Sequence, residues 1–218
     1  SNTIRKKKFP GGFLVMSGAN SAASLRSRPI RFLGLDEIDA YPFNVGGEGS
    51  PIKLSEKRTT TFARRAKKFK VSTPTYKGSS AIEDEYESST KERYHVPCPH
   101  CGKKQWLKWK QVKWDKNKDD KDCPIPDSVH YECEHCEGRI EERHKTEMLE
   151  AGEWIAQHPD RKKRGFHLSA LYSPLGWYSW AEMAYDFWDA KGNPEKLKVF
   201  VNTGLAETFE IESADTPK

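Results

Sequence analysis

The chain has 218 residues, of which 35% are hydrophobic and 32% are charged, so it can form one medium-sized domain or two small ones. Its longest apolar stretches are a few residues, which excludes a membrane-spanning helix, and no signal peptide is visible. The 37 basic and 32 acidic residues leave a formal net charge of +5, concentrated in basic runs at residues 5–8, 64–68 and 161–164. Such runs either neutralise phosphates or form solvated faces.

The N-terminal region predicts two strands that lead to a pair of carboxylates. Short apolar runs at residues 13–16 and 30–35 are typical of buried strands. The second run ends directly in Asp36 and Glu37. This pattern has the form of a Walker B strand, in which the first carboxylate holds Mg²⁺ and the second polarises the water that attacks ATP. An ordinary strand end with acidic turn residues is the alternative.

A helix, a third strand and a second helix are predicted next. Ser50 followed by a proline is typical of a helix start, and we expect this helix to continue to about Ala66. Residues 69–72 predict a strand that ends in Ser72 and Thr73, and residues 81–88 predict a helix. Alternating strands and helices favour an α/β fold with a parallel sheet covered by helices.

Two Cys-x-x-Cys pairs separated by 31 residues predict a metal site. Four thiolates are the tetrahedral ligand set that zinc prefers, and a closed set leaves no open position for catalysis. The spacer is longer than the roughly 15–20 residues usual for this pattern, so a strand or loop must fill it. Two disulfides or unmodified thiols are the alternatives. The four residues are Cys98, Cys101, Cys133 and Cys136.

Residues 94–140 predict a small antiparallel unit around this metal, with the charged tract 115–122 as an exposed loop. Cys123 is expected to be a spare thiol, and His100 and His135 are expected to point away from the metal. Three tryptophans alternate with lysines in this region, a mixture that either binds nucleic acid or forms an aromatic core. They are Trp106, Trp109 and Trp114.

The C-terminal region predicts helices and one short strand. A helix is expected over residues 141–151, and a strand over residues 165–168. Ser179 and Glu182 form a capping-box pattern at the start of an amphipathic helix. A last helix is expected to begin at Pro194.

The order of several short segments resembles the GpA family, the large terminase subunits of lambda-type tailed phages. These segments extend over most of the chain from about residue 12, and their order is specific even though several are weak alone. They are residues 36–42, 48–51, 57–58, 72–75, 98–102, 165–167, 171–174 and 200–207.

The resemblance implies part of a DNA-packaging motor, in which an ATPase domain moves double-stranded DNA into a procapsid and a following nuclease domain cuts the genome. It implies that Asp36 holds Mg²⁺, that Glu37 is catalytic, and that Ser72 and Thr73 form the motif that couples ATP to movement. The four cysteines fall where many members of the family carry a cysteine-rich insertion.

The implied partners are double-stranded DNA, a small terminase subunit, a portal and procapsid, and further copies of the same chain. The implied location is the cytoplasm of a host bacterium, and no membrane association is expected. A zinc-ribbon module that binds nucleic acid or protein without turnover is the alternative function, and a structural scaffold stabilised by zinc is a third.

Two departures from the family pattern shape the expected architecture. No Gly-x-x-x-x-Gly-Lys-Ser/Thr motif occurs, so there is no phosphate-binding P-loop, and the nuclease domain is expected beyond residue 203. The expected fold is therefore a partial P-loop NTPase (RecA-like) sheet over residues 1–93, a zinc-ribbon-like insertion over 94–140, and connecting helices over 141–218.

The missing P-loop generates a first prediction. We expect these 218 residues alone to hydrolyse ATP negligibly, because the sequence contains no P-loop to hold the β- and γ-phosphates. A robust ATPase rate from the purified chain that disappears in E37Q would contradict this expectation.

Overall fold

The computed structural model describes residues 3–26 and 28–210. The chain divides into two compact units, Ser1–Ser72 and Thr73–Lys218. We expected the first division near residue 93, whereas the compact units divide directly after the strand that ends at Val71. The regions expected to form an insertion and a connecting segment lie together in the second unit.

The first unit contains a hairpin followed by alternating helices and strands. β1 and β2 pair antiparallel, and their turn contains Gly11 at a φ of +83°, which glycine adopts without strain. β1 was not predicted, because its run of lysines shows no apolar alternation. The elements are β1 (Lys6–Phe9), β2 (Gly12–Val15), α1 (Ala22–Arg26), β3 (Phe32–Asp36), α2 (Pro51–Lys57) and β4 (Lys67–Val71).

The parallel pair β3–β4 carries the acidic strand end. Its register places Asp36 opposite Val71, the last residue of β4. Leu33 and Leu35 are buried on one face of β3, and α2 packs against this strand. The predicted parallel pairing is therefore present, but among the residues that the structure describes this sheet has two strands and is not a wide covered sheet.

Helix α2 begins at Pro51, as predicted, but ends at Lys57 and does not continue to Ala66. The hydroxyls of Thr59 and Thr60 donate to backbone carbonyls three residues earlier, at 2.8 and 2.7 Å. Such bonds compete with the helical pattern, and consecutive β-branched residues lower helix propensity further. A short 3₁₀ helix follows instead.

The second unit consists of short strands and short helices, the longest of 11 residues, around one core. None of the helices described is long and apolar enough to cross a membrane. The elements are α3 (Ala81–Glu87), β5 (Glu92–Pro97), β6 (Lys104–Trp106), β7 (Val112–Lys113), β8 (Lys116–Asn117), β9 (Cys123–Pro124), β10 (His130–Glu132), β11 (Arg139–Ile140), α4 (Lys145–Glu150), β12 (Glu153–Ala156), β13 (Phe166–His167), α5 (Trp180–Ala190) and α6 (Pro194–Val199).

Strand β5 is the centre of a four-stranded sheet. β12 pairs antiparallel along one side of β5, and the other side is shared by β13, which runs parallel, and β6, which runs antiparallel. Arg93 thus lies between Ile155 and His167. These pairings join the predicted insertion to the segment after it, which explains why both belong to one unit.

The core of the second unit is formed by residues spread between Val96 and Leu205. A three-stranded antiparallel sheet, β7–β10–β11, contributes residues that pack with α5. The ring of Trp109 contacts the rings of Trp114, Phe187 and Phe200, with centroids 4.9 to 5.8 Å apart. The buried members of this core are Val96, Cys98, Leu107, Val112, Tyr131, Cys133, Ile140, Met148, Leu171, Tyr172, Trp180, Met183, Phe200 and Leu205.

Helix α5 begins with the predicted capping box. The Ser179 hydroxyl accepts the N–H of Glu182 at 3.1 Å, and the Glu182 carboxylate accepts the N–H of Ser179 at 2.7 Å. The N–H of Trp180 donates to the Glu142 carboxylate at 3.1 Å. That carboxylate also pairs with Lys145, whose pKa is lowered by burial. A single acidic residue therefore ties the start of α5 to the segment before α4.

The imidazole of His167, on β13, is half-buried. Its Nε2 lies 2.9 Å from the carbonyl oxygen of Ala206. Burial, together with the nearby Arg93 guanidinium, lowers the pKa of His167 to about 4. The folded chain therefore keeps this histidine neutral well below the pH at which an unfolded chain would protonate it.

This difference predicts an acid-labile contribution to stability. Between pH 6.5 and about 4 the unfolded chain binds a proton at His167 that the folded chain does not. The free energy of unfolding should therefore decrease as the pH is lowered through this window, by up to about 1.4 kcal/mol per pH unit. H167Q keeps a donor near Ala206 and does not titrate, so it should lose about 1.5 kcal/mol less than the wild type between pH 6.5 and 5. Urea unfolding of both proteins at both pH values measures this, and equal losses would contradict it.

Candidate functional site

The four predicted cysteine ligands meet at one point in the second unit. Two lie in the turn between β5 and β6, and two in the turn between β10 and β11. Their sulfur atoms all lie within 4.8 Å of one another, and the Cys98–Cys136 and Cys101–Cys133 sulfurs are each 3.9 Å apart. A tetrahedron of 2.3 Å metal–sulfur bonds has edges of about 3.8 Å, so the spacing fits a thiolate-bound metal. A disulfide would need about 2.05 Å, and all four thiols are free.

The two Cys-x-x-Cys turns have nearly the same backbone. We refer to residues 98–104 as the first knuckle and residues 133–139 as the second knuckle. In each, the N–H of the residue after the second cysteine donates to the carbonyl of the first cysteine at 2.9 Å. In each, that donor residue has a left-handed φ, +71° for Gly102 and +57° for Glu137.

This duplication is an internal repeat that we did not identify in the sequence. Both knuckles read Cys-x-His-Cys, and the backbone N–H of each histidine points at the first sulfur of its own knuckle, at 3.4 Å. The histidine at the same position of both pairs is the feature of the sequence from which the repeat could have been predicted. As expected, neither imidazole belongs to the ligand cluster, and Cys123 lies outside it on β9.

Burial and backbone donors act in opposite directions on the thiols. Burial raises the pKa of Cys133, but the backbone N–H groups of His135 and Cys136, together with the neighbouring Cys98 and Cys136 thiols, more than offset this and lower it to about 7. Burial raises the pKa of Cys98 to about 12, so this thiol needs a cation to become a thiolate at neutral pH. Four sulfurs that surround one ion leave no position for a substrate, which indicates a structural centre.

The acidic doublet lies in the first unit at the carboxyl end of β3. Asp36 is the last residue of the strand, and Glu37 follows it with φ +52° and ψ +50°. A non-glycine residue in this left-handed region is strained by roughly 1–3 kcal/mol, and such strain clusters at functional sites. Both side chains are exposed. The two carboxylates are therefore presented to solvent at one end of the parallel pair.

The second predicted motif lies beside the first at the end of β4. The hydroxyl of Ser72 accepts the backbone N–H of Asp39 at 3.1 Å. This bond joins the loop after β3 to the end of the neighbouring strand. Thr73 is the first residue of the second unit. The structure thus brings Ser72 close to the loop that follows Asp36 and Glu37.

The basic run at residues 161–164, for which a phosphate site and a solvated face were both open, makes hydrogen bonds and ion pairs within the second unit. Arg161 donates to the carbonyls of Glu87 and Ser89, at 2.7 and 2.8 Å, just past the end of α3. Arg164 makes a two-pronged ion pair with Glu92, at 2.8 and 2.7 Å, and this contact lowers the pKa of Glu92. Cations at a helix C-terminus are stabilising, so this run is structural.

Two of the three tryptophans are likewise part of the core. Trp109 and Trp114 pack on each other and on Phe187. Trp106 lies on the sheet, with the Arg93 guanidinium 4.7 Å from its ring centroid. The alternative of a base-stacking surface therefore has no support from Trp109 or Trp114.

Comparison with known families finds two matches. Residues 1–154 match the family described as phage terminase large subunit gpA, ATPase domain, and residues 163–218 match terminase large subunit gpA, endonuclease domain. The nuclease region was expected beyond residue 203, so the second match corrects that expectation: it already includes β13, α5 and α6. The two matched ranges meet inside the second unit, since β13 pairs with β5.

Two curated proteins are similar to most of the chain. The terminase large subunit of Enterobacteria phage P21 is 34% identical over 238 residues, which is 96% of this chain and 35% of that protein. The terminase large subunit of Escherichia phage lambda is 32% identical over 244 residues, which is 99% of this chain and 36% of that protein. The chain spans about a third of the length of these relatives. No solved structure matches significantly.

The sulfur geometry generates a prediction about metal content. We expect one divalent ion per chain, and we expect C133S to lose it, because three sulfurs no longer close the tetrahedron. Since Cys133 belongs to the hydrophobic core, C133S should also lower the melting temperature. C123S is the matched control and should change neither property. Elemental analysis and thermal unfolding measure both, and a C133S protein with full metal content would contradict the assignment.

Proposed function

The chain belongs to the gpA family of phage terminase large subunits, and we propose from this that it is part of an ATP-driven motor that packages DNA. The observation that carries the proposal is the acidic doublet. Asp36 ends a strand inside the region that matches the ATPase family, Glu37 follows it directly, and Ser72 contacts the loop after them. The substrate on this proposal is double-stranded DNA, moved into a procapsid at the cost of ATP hydrolysis.

The doublet suits the chemistry of phosphoryl transfer. Exposed carboxylate oxygens are the ligands that Mg²⁺ prefers in proteins, so Asp36 would hold the ion. Mg²⁺ bound to ATP supplies charge neutralisation for the transferred phosphoryl group. Glu37 would orient a water molecule and accept its proton. Its left-handed backbone conformation sets the direction in which its side chain leaves the chain.

Ser72 offers a route from this site to movement. Its hydroxyl accepts the N–H of Asp39, so a shift in the loop after β3 would pull on the end of β4. Thr73 follows directly and begins the second unit. We propose that Ser72 and Thr73 transmit the state of the nucleotide along the chain.

We propose that the four-cysteine centre binds zinc and has a structural role. Two of its four sulfurs are buried in the core, and burial raises the pKa of the Cys98 thiol, so bound zinc would stabilise the fold by holding this sulfur as a thiolate. The centre closes the ends of the β5–β6 and β10–β11 hairpins. It would therefore fix the sheet on which the C-terminal region packs.

The remaining features of the proposal come from the family. The region that matches the endonuclease domain implies that the whole protein also cuts DNA. Its partners would be a small terminase subunit, a portal and procapsid, and further copies of itself, in the cytoplasm of a host bacterium. The similar proteins from phages P21 and lambda carry the name terminase large subunit.

The proposal is tested in the protein expressed from its complete gene. We expect E37Q to lower the kcat of ATP hydrolysis about 100-fold or more while nucleotide still binds, because general-base and water-positioning groups contribute roughly that much. D36N should weaken the dependence on Mg²⁺. A steady-state ATPase assay and a nucleotide-binding assay measure these effects.

The matched control is E48Q, which changes a carboxylate of the same unit that pairs with Arg26 at 2.9 Å. It should retain the wild-type rate. Wild-type turnover in E37Q, or equal losses in E37Q and E48Q, would overturn the assignment of the doublet.

A further inference from the structure

Each knuckle histidine reaches across to the other knuckle. The Nε2 of His100 lies 2.7 Å from the carbonyl oxygen of Arg139, in the second knuckle. The Nε2 of His135 lies 3.4 Å from the carbonyl oxygen of Lys104, in the first knuckle. Arg139 and Lys104 occupy the same position of the repeat, six residues after its first cysteine. The two contacts are therefore reciprocal and related by the internal repeat.

The two contacts differ in length for a reason that is visible in the second knuckle. A Cβ atom on Gly138 would lie 2.9 Å from Cδ2 of His100 and 3.2 Å from the Cys136 sulfur. The absence of a side chain there lets the His100 ring lie against the backbone. Lys103 occupies the equivalent position of the first knuckle. The His100 contact is accordingly the short one.

The segment that His100 contacts also serves a ligand. The backbone N–H of Gly138 donates to the Cys136 sulfur, its carbonyl accepts the N–H of Cys133 at 3.1 Å, and the carbonyl of the following residue, Arg139, faces the His100 ring. A hydrogen bond to this carbonyl fixes the orientation of the segment that carries the N–H. Removing a group that orients a metal ligand in this way typically lowers metal affinity about 10–100-fold.

We propose that His100 and His135 are positioning residues that clasp the two knuckles around the metal and slow its release, with His100 the stronger of the two. This rests on the proposed metal centre. Each ring carries its proton on Nε2 and donates it to the facing carbonyl. Because the donors and acceptors lie on opposite knuckles, opening of either knuckle breaks a bond that holds the other.

The test compares metal release from full-length chains loaded with Zn²⁺, by stopped-flow transfer to a chromophoric chelator. We expect H100F, which keeps a ring but loses the donor, to release zinc about tenfold faster than the wild type. H135F should show a smaller increase, since its contact is longer. H100Q places an amide N–H close to the original Nε2 and should recover most of the wild-type rate.

H130F is the matched control. His130 also contacts a backbone carbonyl through its ring, with Nδ1 2.8 Å from the Ser128 oxygen, but it lies outside both knuckles. H130F should leave the release rate unchanged. Equal rates in H100F and the wild type, equal acceleration in H100F and H130F, or a larger effect in H135F than in H100F would each overturn the proposal.

A second measurement does not depend on any variant. In the zinc-loaded wild type, the Nε2–H proton of His100 should be visible by NMR as a slowly exchanging imidazole proton. His100 is itself exposed, so protection must come from its hydrogen bond, and a proton that exchanges as fast as that of an imidazole without such a bond would overturn the clasp. A wild-type protein that binds no metal would overturn the metal centre itself, whereas a loaded centre insensitive to H100F overturns only the role of the histidines.

Discussion

Four thiols that converge at the edge of a hydrophobic core are the constraint on which the second unit depends. Cys98 and Cys133 are 2% and 0% exposed and belong to the same cluster as Val96, Tyr131 and Trp180. Thiols in this arrangement are both packing residues and ligands, so their spacing sets where two hairpins end. One of those hairpins contains β5, which in turn places β12 and β13. The position of the cysteine turn therefore determines where β5 ends, and with it the position of the two strands that pair with β5.

Short-range patterns in the sequence predicted the parts of the fold that depend on neighbouring residues. The Cys-x-x-Cys spacing, the Ser179–Glu182 cap and the start of α2 are all settled within about four residues, and the structure has each of them. The four-cysteine site was predictable for the same reason, since each turn presents two sulfurs by itself. The position of Asp36 at a strand end likewise needed only its own apolar run.

Features that depend on distant partners were not predictable in this way. Nothing in residues 161–164 indicates that Arg164 will find Glu92, or that Arg161 will bind carbonyls past the end of α3. The role of Trp109 depended on Phe187 and Phe200, which lie far along the chain. The repeat of the knuckles was readable from Cys-x-His-Cys, but its meaning lies in contacts between the two copies. The sequence left two interpretations open for each of these groups, and only the contacts with distant residues decide between them.

The pairing of β13 with β5 has an evolutionary consequence. The buried carboxylate of Glu92 lies in the segment that matches the ATPase family, and its cation, Arg164, lies in the segment that matches the nuclease family. Recombination between two phages at the junction of these segments would exchange one partner without the other. A chimera that acquires a neutral residue in place of the arginine keeps an uncompensated charge in its interior, which costs far more than the exposed pairs lost elsewhere. Recombinant chains should therefore survive more often when the crossover lies before β5 or after β13 than when it lies between these two strands.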